Sequence, residues 1–126
     1  MSDSQSVREW LQAQLRSELP EGWKFIPNQR MAATIDRITV VLKHTDIERL
    51  PEAPLGNLRN TVVLTVADPH EDQVRAENEL DDAVLELCTA IDGLPNINWT
   101  RASKVLVNDT YLGWDITLTV ISGKEL

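Results

Sequence analysis

Apolar and polar residues alternate with a period of two along several segments, which is the pattern of strands with one buried face. The segments Thr34 to Lys43 and Arg59 to Ala67 show it, as does the last one, Tyr111 to Ser122. Asn98 to Asn108 precedes the last segment across a short turn and completes a predicted hairpin. The apolar run Trp23 to Ile26 predicts a further strand, placed at a sheet edge because proline follows it and cannot donate a ladder hydrogen bond.

Two other segments carry apolar residues at helical spacing. The first predicts a helix from Ser6 to Glu18, where Ser6 and Glu9 have the spacing of a capping box. The second predicts a helix from Gln73 to Ile91 that ends at Gly93. Its apolar stripe, which we expect to cover the sheet, contains Leu80, Val84, Leu87, Cys88 and Ile91.

These elements give the order α-β-β-β-α-β-β. We predict one α+β domain over residues 1–126, with a mainly antiparallel sheet and both helices packed on one of its faces. The other face of the sheet is rich in threonine, and it either faces water or packs on another subunit. Its threonines are Thr39, Thr61, Thr65, Thr117 and Thr119.

A long segment, His44 to Asn57, separates the second and third predicted strands. It contains two prolines and a glycine, and it is long for a hairpin connection, so we interpret it as a functional loop. Ile47, Leu50 and Leu55 are its apolar residues. We predict that they form an assembly loop, mobile in the free subunit, that becomes ordered against a partner.

The whole net charge of −8 lies between Asp68 and Asp92, where nine acidic residues face one basic residue, Arg75. This segregation predicts one acidic face on the second helix. The residues of this candidate acidic face are Glu77, Glu79, Asp81, Asp82 and Glu86. The acidic balance argues against wrapping a nucleic acid, because that binding depends on lysine and arginine. The N-terminal residues resemble no signal peptide, so we expect a soluble, cytosolic product.

The sequence contains no recognisable catalytic or cofactor motif, so we predict a protein that is not an enzyme and has no cofactor. Asp68 to Asp72 is the densest group of potential metal ligands. It lacks the calcium-loop pattern, and we interpret it as a solvated turn whose acids favour the helix dipole; no metal is assigned to it. Cys88 lies on the apolar stripe and is predicted to be a buried, unreactive thiol.

Three features of the chain resemble the tail terminator, or tail completion, proteins of long-tailed bacteriophages. The first is the amphipathic helix Val7 to Leu19, followed by the strand Trp23 to Pro27. The second is the two-strand unit Thr34 to Ala67 with its long proline-containing loop. The third is Glu79-Leu80-Asp81-Asp82-Ala83-Val84-Leu85-Glu86-Leu87, leading to Gly93-Leu94 and then to the hairpin Tyr111-Leu112-Gly113-Trp114-Asp115-Ile116-Thr117-Leu118.

The resemblance implies a structural role in the virion tail, assembled in the host cytoplasm. In that family, the subunits form a hexameric ring at the head-proximal end of the tail tube, stop tube polymerisation and provide the docking surface for the head connector. The implied partners are other copies of the chain, the major tail tube protein and the head-tail connector, with genomic DNA only in passage and no membrane. A head-to-tail connector or another minor tail protein is the alternative, and a small intracellular enzyme or ligand-binding domain is a third class.

Overall fold

The computed structural model of the chain describes residues 7–19, 22–26, 36–49, 58–70, 73–108 and 110–122. These residues form two helices and five strands in the α+β order that the sequence predicts. The elements are α1 (Val7–Arg16), β1 (Lys24–Ile26), β2 (Thr39–Arg49), β3 (Leu58–Ala67), α2 (Gln73–Asp92), β4 (Ile97–Val107) and β5 (Tyr111–Ser122). The predicted capping residue Ser6 lies outside the described part of the chain.

The five strands form one sheet in the order β1-β2-β3-β5-β4. The pairs β2 with β3, β3 with β5, and β4 with β5 are antiparallel. The predicted edge position of β1 is confirmed, but β1 runs parallel to β2, with Lys24 opposite Thr39. Parallel neighbours need a connection of about a dozen residues or more, and residues 27–38 supply that length.

Both helices cover the same face of the sheet, as predicted. On that face the β3 and β5 partners are Val66 with Trp114, Leu64 with Ile116 and Val62 with Leu118. The helices contribute the buried residues Leu11, Leu15, Leu80, Val84, Leu87 and Ile91 to the same apolar cluster. Helix α2 packs against β4 and β5. The core therefore lies between one sheet face and two amphipathic helices.

The threonine-rich face was expected to contact either water or another subunit, but part of it is already buried within the single chain. Thr39 and Thr65 are only 1% and 3% exposed within the single chain. Both hydroxyls are satisfied locally, since Thr39 donates to the Arg37 carbonyl at 3.0 Å and Thr65 donates to Asp115 at 2.6 Å. These hydrogen bonds offset the cost of burying a hydroxyl. Of the five threonines, Thr61, Thr117 and Thr119 are partly exposed.

Strand β2 corrects the prediction for the second strand and for the loop that follows it. The strand starts at Thr39 and runs on to Arg49, so His44 to Arg49 is strand instead of loop. The register with β3 shifts between His44 and Asp46. This bulge moves the helix-facing position to Ile47, and the polar residues at the shift interrupt the period-two pattern that predicts strands. Residues 50–57 lie outside the described part of the chain.

Gly113 on β5 lies too close to neighbouring strands to accept a side chain. A Cβ at this position would lie 2.7 Å from the Val66 carbonyl oxygen and 2.9 Å from Cγ2 of Val107. We expect Gly113→Ala to lower the free energy of unfolding by about 1–3 kcal/mol, because backbone must move to make room. Urea unfolding measures the effect, with Gly93→Ala as the control because its nearest new contact is 3.4 Å. Equal stability of the two variants would contradict this packing.

Candidate assembly surfaces

The end of β2 is a strand segment whose residues are all exposed. All five residues of Thr45–Arg49, here called the β2 tip, are exposed, and Ile47 is 61% exposed. Strand β1 pairs only with Thr39 to Val41, so no described strand pairs with the outer edge of β2 at the tip. The β2 tip therefore presents both faces and one edge to its surroundings.

Hydrogen bonds hold the β2 tip in register with its neighbours. The His44 ring nitrogen Nε2 lies 3.1 Å from Oδ1 of Asn60, and the Asn60 amide donates to the Val120 carbonyl at 3.2 Å. Thr45 donates its hydroxyl to the Thr61 carbonyl at 3.2 Å. Asn60 is almost fully buried, so the two hydrogen bonds of its side chain link β2, β3 and β5 away from solvent. Ile47, the apolar residue of the β2 tip, is therefore exposed on a strand that these hydrogen bonds hold in place.

The candidate assembly loop is thus divided by the structure. Ile47 lies on β2, opposite Asn60 in the register, where it lines a surface depression with His44, Thr45 and Asp46. Leu50 and Leu55 belong to the segment outside the described residues. The predicted mobility of the assembly loop remains a prediction.

Two members of the candidate acidic face, Glu77 and Asp81, contact the sheet while their side chains remain partly exposed. Lys104 on β4 contacts Oε2 of Glu77 at 2.7 Å and Oδ2 of Asp81 at 3.3 Å. The Trp114 indole donates to the other oxygen of Asp81 at 2.9 Å. The Lys104 ammonium also lies 5.2 Å from the centre of the Trp114 ring, within cation–π range. Glu77 and Asp81 therefore connect α2 to β4 and β5 at the solvent-exposed rim of the helix.

The ion pairs of Lys104 change its proton affinity. The hydrogen bond to Glu77 raises the pKa of Lys104 above its ordinary 10.5, and Asp81 acts in the same direction. A raised pKa means that the contribution of this lysine to stability is complete below its unfolded-state pKa and is lost as the pH rises through the folded-state pKa. These contacts are consequently intact throughout the neutral range.

The other three acidic-face residues occupy different surroundings. Glu79 contacts Nε of Arg75 at 3.4 Å through one oxygen and Nδ1 of His70 at 3.5 Å through the other. Asp82 and Glu86 are exposed, and Leu85 between them is 64% exposed. Of the five residues, Asp82 and Glu86 are therefore the exposed acids for which the described part of the chain shows no ion pair.

Replacing the indole of Trp114 tests the connection between α2 and the sheet. We expect Trp114→Phe to lower the free energy of unfolding by about 1 kcal/mol more than the control Trp99→Phe, because only the first loses a hydrogen bond to α2. Trp99 is partly buried against the same core and has no indole hydrogen bond within the described residues. Urea unfolding followed by circular dichroism gives both values, and equal losses would show that the Asp81 bond contributes nothing.

The two remaining candidate groups, Cys88 and Asp68, are both buried, which was predicted only for Cys88. Cys88 is buried as predicted, and burial raises the pKa of its thiol, with Asp92 adding to the shift. A raised thiol pKa leaves little thiolate at neutral pH, consistent with an unreactive cysteine. Asp68, in contrast, is fully buried, which corrects its assignment to a solvated turn. The reason is local, since its carboxylate accepts the backbone N–H of His70 at 2.8 Å.

A scan against models of protein families finds no match for the chain. A search of curated proteins likewise finds no similar sequence. Neither described helix combines the length and the apolar character that crossing a bilayer requires. Neither comparison identifies a family, so the exposed surfaces of the fold and the resemblance seen in the sequence are the basis for a function.

Proposed function

We propose that this chain is a tail terminator subunit of a long-tailed bacteriophage. In this role its copies close into a ring, hexameric by resemblance, on the head-proximal end of the tail tube. The ring stops tube polymerisation and offers a surface on which the head connector docks. The observation that carries the proposal is the β2 tip, where Ile47 is exposed on a hydrogen-bonded strand whose outer edge has no described partner.

An ordered strand end with an open edge favours contact with another chain. Unpaired strand edges present backbone donors and acceptors, and folded proteins cover or blunt such edges when no partner exists. An exposed isoleucine at that edge adds apolar area that association removes from water. The β2 tip thus has both features of a subunit interface, and its hydrogen bonds to β3 lower the entropy lost on binding.

A closed ring built from one kind of subunit requires two different patches on each molecule. We assign the β2 tip to one patch and the outer edge of β4 to the other. Strand β4 forms the opposite edge of the sheet, and no described strand pairs with its outer side. Leu106 on β4 is 56% exposed there. Two open edges on opposite sides of one sheet suit head-to-tail contacts between successive subunits.

The exposed acidic residues of α2 suit the wall of the channel in the proposed ring. Asp82 and Glu86 are exposed acids, and such groups lining a channel repel the phosphates of passing DNA. We therefore place this side of α2 toward the lumen of the ring. A ring structure with α2 on the outer wall would contradict this placement while leaving the ring itself intact.

Size measurement of the purified chain, alone and with the major tail tube protein of the same phage, tests the proposal. We expect the chain to form a ring or to associate with tube ends, and to keep the tube protein from polymerising further. A chain that stays monomeric and neither binds nor caps tubes would contradict the proposal. Binding to head proteins without any effect on tube length would favour the connector role instead.

A further inference from the structure

Three side chains with metal-binding atoms converge where β3 leads into α2. They are Asp68, directly after β3, His70 in the connection, and Glu79 in α2. One ligand atom from each lies within 4.8 Å of the other two. The group unites an imidazole nitrogen with two carboxylates from separate parts of the fold, so it is more than a run of surface acids.

The buried carboxylate of Asp68 gives an independent reason to expect a ligand. Asp68 is 0% exposed, and its Oδ2 atom has no hydrogen-bond partner. Buried charged oxygens without a partner are costly, and in proteins they are usually paired or bound to a metal ion. Both oxygens share one carboxyl carbon, and Oδ1 lies 2.6 Å from the His70 ring nitrogen. Oδ2 is therefore an unsatisfied acceptor beside the same histidine.

The neighbouring contacts orient the other two groups. Arg75 contacts Oε1 of Glu79, which leaves Oε2 3.5 Å from Nδ1 of His70. The His70 backbone N–H donates to Asp68 Oδ1 at 2.8 Å and fixes the relative position of these two residues. Such outer contacts resemble the second layer of hydrogen bonds that holds metal ligands in place.

We propose that Asp68, His70 and Glu79 bind a divalent transition-metal ion, with Zn²⁺ as the ion that fits best. Zinc accepts imidazole nitrogen and carboxylate oxygen at about 2.0–2.2 Å, and three protein ligands leave one position for water. Mg²⁺ and Ca²⁺ prefer oxygen ligands throughout, so the imidazole disfavours them.

Binding requires small movements and fixes the tautomer of His70. Ligand atoms on a tetrahedral zinc lie about 3.4 Å apart, so the 2.6 Å contact between His70 and Asp68 opens and Glu79 moves inward. Zinc binds Nδ1 of the neutral ring in the tautomer whose single proton is on Nε2, because a ligating ring nitrogen carries no proton. The bound ion then joins the end of β3 to α2, independently of any role in phage assembly.

Isothermal titration of the whole chain with ZnCl₂ tests the proposal, with Co²⁺ absorption as a second readout and MgCl₂ as the comparison ion. We expect one Zn²⁺ per chain, a rise in melting temperature with Zn²⁺ concentration, and no comparable effect of Mg²⁺. His70→Gln and Glu79→Gln are expected to weaken Zn²⁺ binding by at least about tenfold. Both side chains are partly exposed, so these variants are better suited to the test than a change at buried Asp68.

Matched controls come from the same chain. His44→Gln changes the only other histidine, and Glu86→Gln changes an exposed acid on the same helix; both are expected to bind Zn²⁺ like the unaltered chain. Circular dichroism of each variant confirms that it is folded. The proposal is overturned if the unaltered chain binds no Zn²⁺, if Mg²⁺ binds equally well, or if His70→Gln and Glu79→Gln bind Zn²⁺ as the controls do.

Discussion

Replacing Ile47 with aspartate is expected to abolish ring formation and tube capping while leaving the subunit folded. Ile47 is 61% exposed, so a charged side chain at this position meets water in the free subunit. In the proposed ring it would instead place a carboxylate inside an apolar contact, where an unpaired charge is strongly disfavoured. Loss of assembly is measured by sedimentation of the variant with the tail tube protein.

The control for Ile47→Asp is Leu85→Asp, which introduces the same charge at another exposed apolar residue. Leu85 is 64% exposed and lies between Asp82 and Glu86 on α2, so it adds charge to a side that is already acidic. We expect Leu85→Asp to assemble normally. Because aspartate also has low strand propensity, Ile47→Asp is expected to lose up to about 1 kcal/mol of stability, which urea unfolding checks. Normal capping by folded Ile47→Asp would remove the β2 tip from the interface.

Truncation of Leu64 is the substitution expected to cost the most stability. Leu64 lies in the middle of β3, is fully buried and pairs across the sheet with Leu42 and Ile116. Leu64→Ala removes buried apolar groups and leaves a cavity, which costs about 2–5 kcal/mol in well-packed cores. Because small domains are stable by only about 5–15 kcal/mol, the variant is expected to be marginally folded or unfolded at 37 °C.

Leu106→Ala is the matched comparison for Leu64→Ala, because it truncates the same residue type in the same sheet at a position that is 56% exposed. We expect it to change the free energy of unfolding by less than about 0.5 kcal/mol. Chemical unfolding followed by tryptophan fluorescence measures both values. Similar losses in the two variants would contradict the location of the core between β3 and the helices.

Most elements of this fold follow from periodicity. Helix α2 and strands β3 and β5 keep a regular apolar pattern along their length, so their predicted bounds lie within one or two residues of the observed ones. The end of β2 was missed because the bulge after His44 shifts the pattern where the residues are polar. Pairing with β3 extends the strand there, and local pattern contains no information about such a partner. The parallel direction of β1 could not be predicted for the same reason, because it depends on pairing with β2.

The candidate sites could be predicted only in part, because their contacts join residues distant in sequence. The density of acids after β3 was visible, but Glu79 reaches His70 only because α2 turns it toward the end of β3. Lys104 likewise lies 27 residues from Glu77, and no spacing rule connects a strand residue with a helix across the core.

Electron microscopy of tail tubes grown with this protein tests the ring proposal most directly. Image averages of the tube ends are expected to show a six-fold ring on one end only, with tubes that stop growing once the ring is in place. The β2 tip is expected at the contact between neighbouring subunits. Tubes with bare ends and unchanged growth, in the presence of folded protein, would contradict the proposed function.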